Sequence, residues 1–227
     1  GGTSSVVGLA RSGTVERTTG ATVGDYPVHV PMVDIETVGA GGGSVAWVDG
    51  GGALRVGPRS AGADPGPVCY GNGGEEPTVT DAALVSGYLG PETTLGESLA
   101  LDDDAAETAL AALAGAAGLD GPVAAARGVR RVANATMTRA IRRVTIERGH
   151  DPRGFALVAF GGAGPMHAAG LADRLGIDTV LVPAASGVCS ALGMPAADER
   201  HDASRTHRVR PSSADAETPD GQYATLT

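Results

Sequence analysis

Lysine is absent from this 227-residue chain, and all 17 of its cationic side chains are arginine. No P-loop lysine can therefore reach a nucleotide phosphate, and no lysine Schiff base can form. Cysteine is scarce as well: Cys69 and Cys189 stand far apart, without Cys-x-x-Cys spacing. Two such residues exclude a disulfide framework and a thiolate zinc site, and they fit a reducing, cytoplasmic location. No apolar run approaches the length of a membrane span, and the chain does not open on a charged-then-apolar leader, so no membrane partner is expected. Positive charge is also short, 17 Lys and Arg against 26 Asp and Glu, for a formal net charge of -9. Such a surface repels a polyanion and argues against nucleic acid as a partner.

Glycine, by contrast, is plentiful at 36 residues. It gathers in two knots, Gly39-Ala40-Gly41-Gly42-Gly43-Ser44 and Gly161-Gly162-Ala163-Gly164-Pro165, with a third segment, Gly1-Gly2-Thr3-Ser4, at the first residue. Glycine runs between apolar segments let backbone N–H groups approach an anion without side-chain obstruction, which points to phosphate handling. The alternative reading of each knot is an ordinary tight turn.

Local pattern supplies the elements. Ser5 to Ala10, the turn at Arg11-Ser12-Gly13 and the β-branched run Thr14 to Thr19 read as a hairpin. A second hairpin is expected where Val45–Val48 and Ala53–Val56 flank Asp49-Gly50-Gly51-Gly52. Pro58 to Pro77 lacks periodicity and is expected to be an ordered, irregular loop. Asp104 is expected to cap a helix, with Glu107 completing a capping box and Gly118 ending it. Pro122 suits the first turn of a longer helix, whose apolar stripe Val129, Val132, Ala133, Met137, Ala140, Ile141 and Val144 runs toward Gly149. Arg127, Arg130, Arg131 and Arg142 fall largely on its other face and are expected to meet solvent. Asp81 is expected to cap the helix that follows it, and His150-Asp151-Pro152 to act as a helix stop. Phe155 to Phe160 reads as a strand, Met166 to Leu175 as a helix ended by Gly176, and Thr179 to Val182 as a strand parallel to the first. The glycine turn between them then lies at a carboxyl edge of a sheet and feeds a helix N-terminus. Beyond about Arg205 the Ser/Asp/Pro-rich chain is expected to be a mobile tail, which leaves a domain over 1–205 and a tail over 206–227.

Walker A is excluded because no Gly-Lys-Ser/Thr occurs, and the dinucleotide fingerprint fails at both internal knots, where Ser44 and His167 stand in the third-glycine position. Several separate glycine turns at strand edges suit a cleft gripped by distant loops, as in the actin-like, sugar-kinase and Hsp70 group. Thr37-Val-Gly-Ala-Gly-Gly-Gly-Ser44, Val56-Gly-Pro-Arg-Ser-Ala-Gly-Ala63, Pro65-Gly-Pro-Val-Cys-Tyr-Gly71, Pro77-Thr-Val-Thr-Asp-Ala82, Glu147-Arg-Gly-His-Asp-Pro152 and Phe160-Gly-Gly-Ala-Gly-Pro165 follow in order. Together with Gly187-Val-Cys-Ser-Ala-Leu-Gly193 and Arg200-His-Asp202, these blocks resemble the hydantoinase A / 5-oxoprolinase family, which includes acetone carboxylase subunits.

The resemblance implies an α/β, actin-like ATPase lobe, ATP with Mg²⁺, and opening of a small cyclic amide such as hydantoin or 5-oxoproline through carbonyl phosphorylation. It also implies a B-type partner subunit or domain, and that this chain is the later part of a longer polypeptide whose first nucleotide lobe is missing here. Gly1, Gly2, Thr3, Gly41, Gly42, Gly43 and Ser44 become candidate contacts in the nucleotide or substrate cleft, with Gly161, Gly162 and Gly164 toward adenosine or phosphate. Asp34 and Glu36, just before the first internal knot, are candidate metal ligands. Two positions depart from the family pattern: Val6 stands where relatives carry aspartate, and Glu36 where they usually carry histidine. Those departures keep a second reading open, a non-catalytic truncated homologue or subunit-binding module; an acetone carboxylase-like subunit is a further alternative.

Overall fold

The computed structural model describes residues 2–90, 94–95 and 99–198. The N-terminal part is a nested β ribbon: β1 (Ser5–Gly8), β2 (Ala10–Arg11), β3 (Thr14–Val15), β4 (Arg17–Thr18), β5 (Ala21–Val23), β6 (Tyr26–Val28), β7 (Met32–Val33) and β8 (Ile35–Val38). The hairpin expected around Ser12-Gly13 forms, as β2 against β3, but β1 does not join it. Instead β1 runs antiparallel to β8, with Ser5 opposite Val38 and Gly8 opposite Ile35. In that register Val7, Glu36 and Val38 turn toward the protein while Val6, Ile35 and Thr37 face out.

The second hairpin forms as expected from β9 (Ser44–Val48) and β10 (Leu54–Ser60). Asp49 builds its turn by accepting hydrogen bonds from the N–H groups of Gly51 and Ala53, both at 3.0 Å. β10 continues to Ser60 past an irregularity between Val56 and Ser60, so strand takes the first residues of the expected loop. Helix α1 (Val79–Val85) follows, with Thr78 rather than Asp81 as its cap; Asp81 answers from the third helical position to complete a capping box. After the short strands β11 (Thr94–Leu95) and β12 (Leu99–Ala100) comes α2 (Asp103–Ala117). Asp102 caps it through the Ala105 N–H at 2.9 Å, not Asp104, because the helix begins two residues earlier than the capping pattern suggested.

Helix α3 (Gly121–Val144) runs through the middle of the molecule and sorts the core into two parts. Ala125, Ala126, Val129 and Ala133 pack with Val79, Ala82, Leu110 and Leu113 from α1 and α2. Met137 and Ile141, two turns further on, pack with Ala40 and with Leu171, Leu175 and Ile177, joined by Val7, Val38 and Leu157. The expected strand–turn–helix–strand unit is present: β13 (Ala156–Val158), α4 (Gly164–Leu175) and β14 (Thr179–Leu181), the two strands parallel with Leu157 opposite Val180. Gly176 closes α4 in the left-handed conformation. A last helix, α5 (Cys189–Ala196), ends the described part. Gly1, the Arg200 block and the tail expected over 206–227 lie outside the described residues. The whole is a mixed α/β arrangement.

Candidate functional site

Three glycine segments distant in sequence converge on one place. The Gly43 N–H donates to the Gly2 carbonyl at 2.6 Å, and the Ser60 hydroxyl lies 3.2 Å from that of Thr3. A Cβ on Gly42 would stand 3.5 Å from the Ala163 Cβ, so the two internal knots touch. Close backbone approach, rather than a free turn, is thus what glycine at 42 provides; the same Cβ would come within 2.8 Å of the Thr80 hydroxyl.

The two internal knots are unlike in what they leave free. In Gly41 to Ser44 every residue is buried, against the expectation of a cleft surface. Most of its polar groups are already used, the Gly42 N–H being the exception among the described residues: the Gly41 N–H donates to the Ser44 hydroxyl at 2.9 Å and the Ser44 N–H to the Gly41 carbonyl at 3.1 Å. The Gly42 and Gly43 carbonyls accept from Thr80 and Ala61, both at 2.8 Å. In the second knot Gly161 holds φ +90° and donates to the Ser186 carbonyl at 2.7 Å, which leaves the next residues projecting. The N–H groups of Gly162, Ala163 and Gly164 make no hydrogen bond among the described residues. A Cβ on Gly162 or Gly164 would meet nothing within 4 Å, and Gly162 is exposed. These amides head α4, whose first turn carries no acidic side chain and no side-chain cap. Successive free N–H groups at a helix N-terminus form a cradle for an anion, with open space at Gly162 and Gly164 while Ala163 is buried.

Buried and half-buried polar groups lie behind this turn, one of them, Arg130, expected from the sequence to meet solvent. His167 is 1% exposed, and its Nδ1 lies 2.6 Å from Oδ1 of Asn134. Burial, helped by the nearby Arg130 charge, pulls its pKa down to about 4, so the ring is neutral. Arg130 does not join the solvated stripe of Arg127, Arg131 and Arg142: its guanidinium stacks 3.2 Å from the Tyr88 ring centroid and donates to the Met166 carbonyl at 3.1 Å. The signal for this was in the sequence as Arg130, Asn134 and Thr138, polar residues spaced by one helical turn beside an apolar stripe.

The carboxylates proposed for a metal are engaged by arginines. Asp34 accepts from both terminal nitrogens of Arg148, Nη2 at 3.2 Å, and Glu36 accepts from Arg143. Glu16 lies 3.9 Å from both Arg148 and His150. No group of three or more His, Cys, Asp or Glu side chains placed to share an ion occurs among the described residues. As arranged, this donor set does not fit Mg²⁺. Asp81 is fully buried and committed to structure, accepting from the Thr78 N–H and hydroxyl and from the Cys69 N–H at 2.7 to 2.8 Å. Burial, together with that Asp81 charge, pushes the Cys69 thiol up, so it stays protonated and unreactive. Asp151 caps the start of the short 3-10 turn Pro152–Gly154, accepting from the Arg153 backbone and guanidinium at 3.0 Å, rather than stopping a helix, since α3 has already ended at Val144.

Residues 1–203 match the family model described as hydantoinase/oxoprolinase. The chain belongs to the hydantoinase/oxoprolinase family. It is 47% identical to caprolactamase subunit alpha of Pseudomonas jessenii over 92% of this chain and 30% of that protein. It is 42% identical to 5-oxoprolinase 1 of Arabidopsis thaliana over 89% of this chain and 17% of that protein. Two solved structures share its architecture. The ATP-dependent caprolactamase of P. jessenii superimposes with a TM-score of 0.76 at 48% identity, covering 84% of this chain and 28% of that one. A nucleotide-free acetone carboxylase gives 0.79 at 34% identity, covering 87% and 28%. This member of the hydantoinase/oxoprolinase family thus spans less than a third of the length of these relatives.

Proposed function

We propose that this chain forms one wall of the nucleotide cleft of an ATP-dependent cyclic-amide hydrolase, as part of an actin-like ATPase lobe. The observation that carries this reading is the cradle of unpaired N–H groups at Gly162, Ala163 and Gly164, opening α4 beside the other glycine segments. The relatives support it, since one is an ATP-dependent caprolactamase and another a 5-oxoprolinase. Gly162 and Gly164 would hold phosphate, while Gly42 and Gly43 shape the wall behind it. ATP bound there would supply the phosphoryl group that activates an amide carbonyl oxygen for attack by water. The chain's own part is positioning and charge compensation, which dominate such transfers. A lactam, hydantoin or 5-oxoproline ring is the substrate class, and a B-type subunit together with a further lobe would close the cleft. No step is assigned to Mg²⁺, because Asp34 and Glu36 already answer guanidinium groups.

Amide-resolved NMR of the 227-residue chain during an ATP titration tests this. ATP is expected to bind weakly, with Kd of about 1 mM, and to shift the Gly162, Ala163 and Gly164 resonances first. Gly162→Val, placed where a side chain meets open space, should abolish those shifts without changing the circular dichroism spectrum. The chain alone should not turn over hydantoin or 5-oxoproline. Shifts confined to other segments, or unaltered in Gly162→Val, would remove the assignment.

A further inference from the structure

The contact between α3 and α4 changes character along its length. At the end away from the glycine turn it is ordinary core, with Met137 and Ile141 against Leu171, Ala172 and Leu175. At the turn end it is polar: Arg130 reaches the Met166 carbonyl, and Asn134 meets His167 one helical turn later. The helices are so close there that a Cβ on Gly170 would lie 2.6 Å from the Asn134 amide nitrogen. Thr138 is turned back on its own helix, donating to the Asn134 carbonyl at 2.7 Å, and takes no part.

Packing alone does not call for this polarity. The Nε2 of His167 and the Nε of Arg130 are buried without partners among the described residues, a cost that an apolar contact would avoid. Apolar side chains also slide past one another with little loss, whereas a hydrogen-bonded pair has a single register. Met166 and His167 belong to the first turn of α4, directly after the open amides, so whatever fixes them fixes the cradle.

We propose that Arg130, Asn134 and His167 form a positional latch, which sets where the Gly162–Gly164 amides stand against Gly42. This rests on the reading of that turn as a nucleotide cradle, and it makes the three side chains positioning residues that need not touch ligand. The latch gives up stability in exchange for a defined turn geometry. Its removal should therefore loosen the turn without weakening the fold.

Hydrogen exchange of the full chain without nucleotide separates these effects. Two amides report on the turn: Gly161, bonded to Ser186, and Met166, bonded to Ala163. In the double variant Asn134→Leu/His167→Met, which exchanges the pair for apolar groups of similar size, both amides should exchange at least about tenfold faster. The urea midpoint should stay level or rise. Arg130→Met, at a half-buried site, keeps much of the side chain's apolar length and should give the same local effect to a smaller degree. Unchanged exchange at Gly161 and Met166 would overturn the latch, and so would an equal acceleration along all of α4 with a lowered midpoint. ATP is then added to the wild-type chain: a latch without ATP protection overturns the proposed function alone, and ATP protection without a latch overturns this inference alone.

Discussion

Asp81 shows how much one side chain can organise. Its carboxylate is fully buried, without a cation among its hydrogen-bonding partners, and is held by donors from Thr78 and Cys69. It ties the loop around Cys69 to the start of α1 and adds to the burial that keeps that thiol protonated. Asp81→Ala leaves buried donors unpaired and is expected to cost about 3 kcal/mol in urea unfolding. Asp81→Asn should be nearly as harmful, because its amide would turn N–H toward donors. Should both variants unfold within about 0.5 kcal/mol of wild type, the network would not be structural. The carboxylate looked like a helix cap from the sequence because Asp before an apolar run commonly is one. The capping-box geometry and the Cys69 contact needed the loop to be folded back.

At the scale of elements, the link between β8 and the end of α3 is electrostatic. Arg143 and Arg148 leave the last turns of α3 and its extension to engage Glu36 and Asp34. The arginines are exposed, so each pair adds little to stability and weakens with salt. Their larger effect is to occupy carboxylates that would otherwise attract a cation. Thermal melting of wild type is expected to ignore millimolar Mg²⁺ or Mn²⁺, while Arg143→Ala/Arg148→Ala, which frees Asp34 and Glu36, should gain a metal-dependent rise in Tm. A wild-type chain already stabilised by these ions would show that the ion pairs do not block them.

Across the whole molecule, α3 joins two cores and carries the buried polar contact with α4 between them. That contact makes stability depend on pH. The His167 pKa falls from 6.5 to about 4 on folding, so the unfolded chain takes up the proton more readily. The corresponding stability is complete above pH 6.5 and is lost as pH falls toward 4, by about 3 kcal/mol at most. Comparing urea midpoints of wild type and His167→Gln between pH 7 and 4 isolates this contribution. On acidification the wild type should lose stability relative to the variant, and a constant difference would show that His167 is not held neutral. The exposure of this sheet is equally a property of the assembled chain: Val158 and Leu181 are both more than half exposed on the two-stranded β13–β14 sheet. Parallel strands are normally covered on both faces, and among the described residues α4 covers one.

What the sequence determined by itself was local. The β13–α4–β14 unit, the Asp49 hairpin, the end of α2 at Gly118 and of α4 at Gly176 follow from apolar periodicity and from glycine's freedom over a few residues. The ordered family blocks made the hydantoinase/oxoprolinase relationship legible as well. Only the tertiary structure decided which glycine knot keeps its amides free. Gly41 to Ser44 spends most of its polar groups on itself, Gly2, Ala61 and Thr80, leaving one amide, whereas the three successive N–H groups of Gly162 to Gly164 find no partner among the described residues. It likewise decided that Asp34 and Glu36 meet arginines more than 100 residues away. A hydrogen bond is fixed by where its partner stands in space, and for these groups the partner is distant in the chain, where local pattern carries no information.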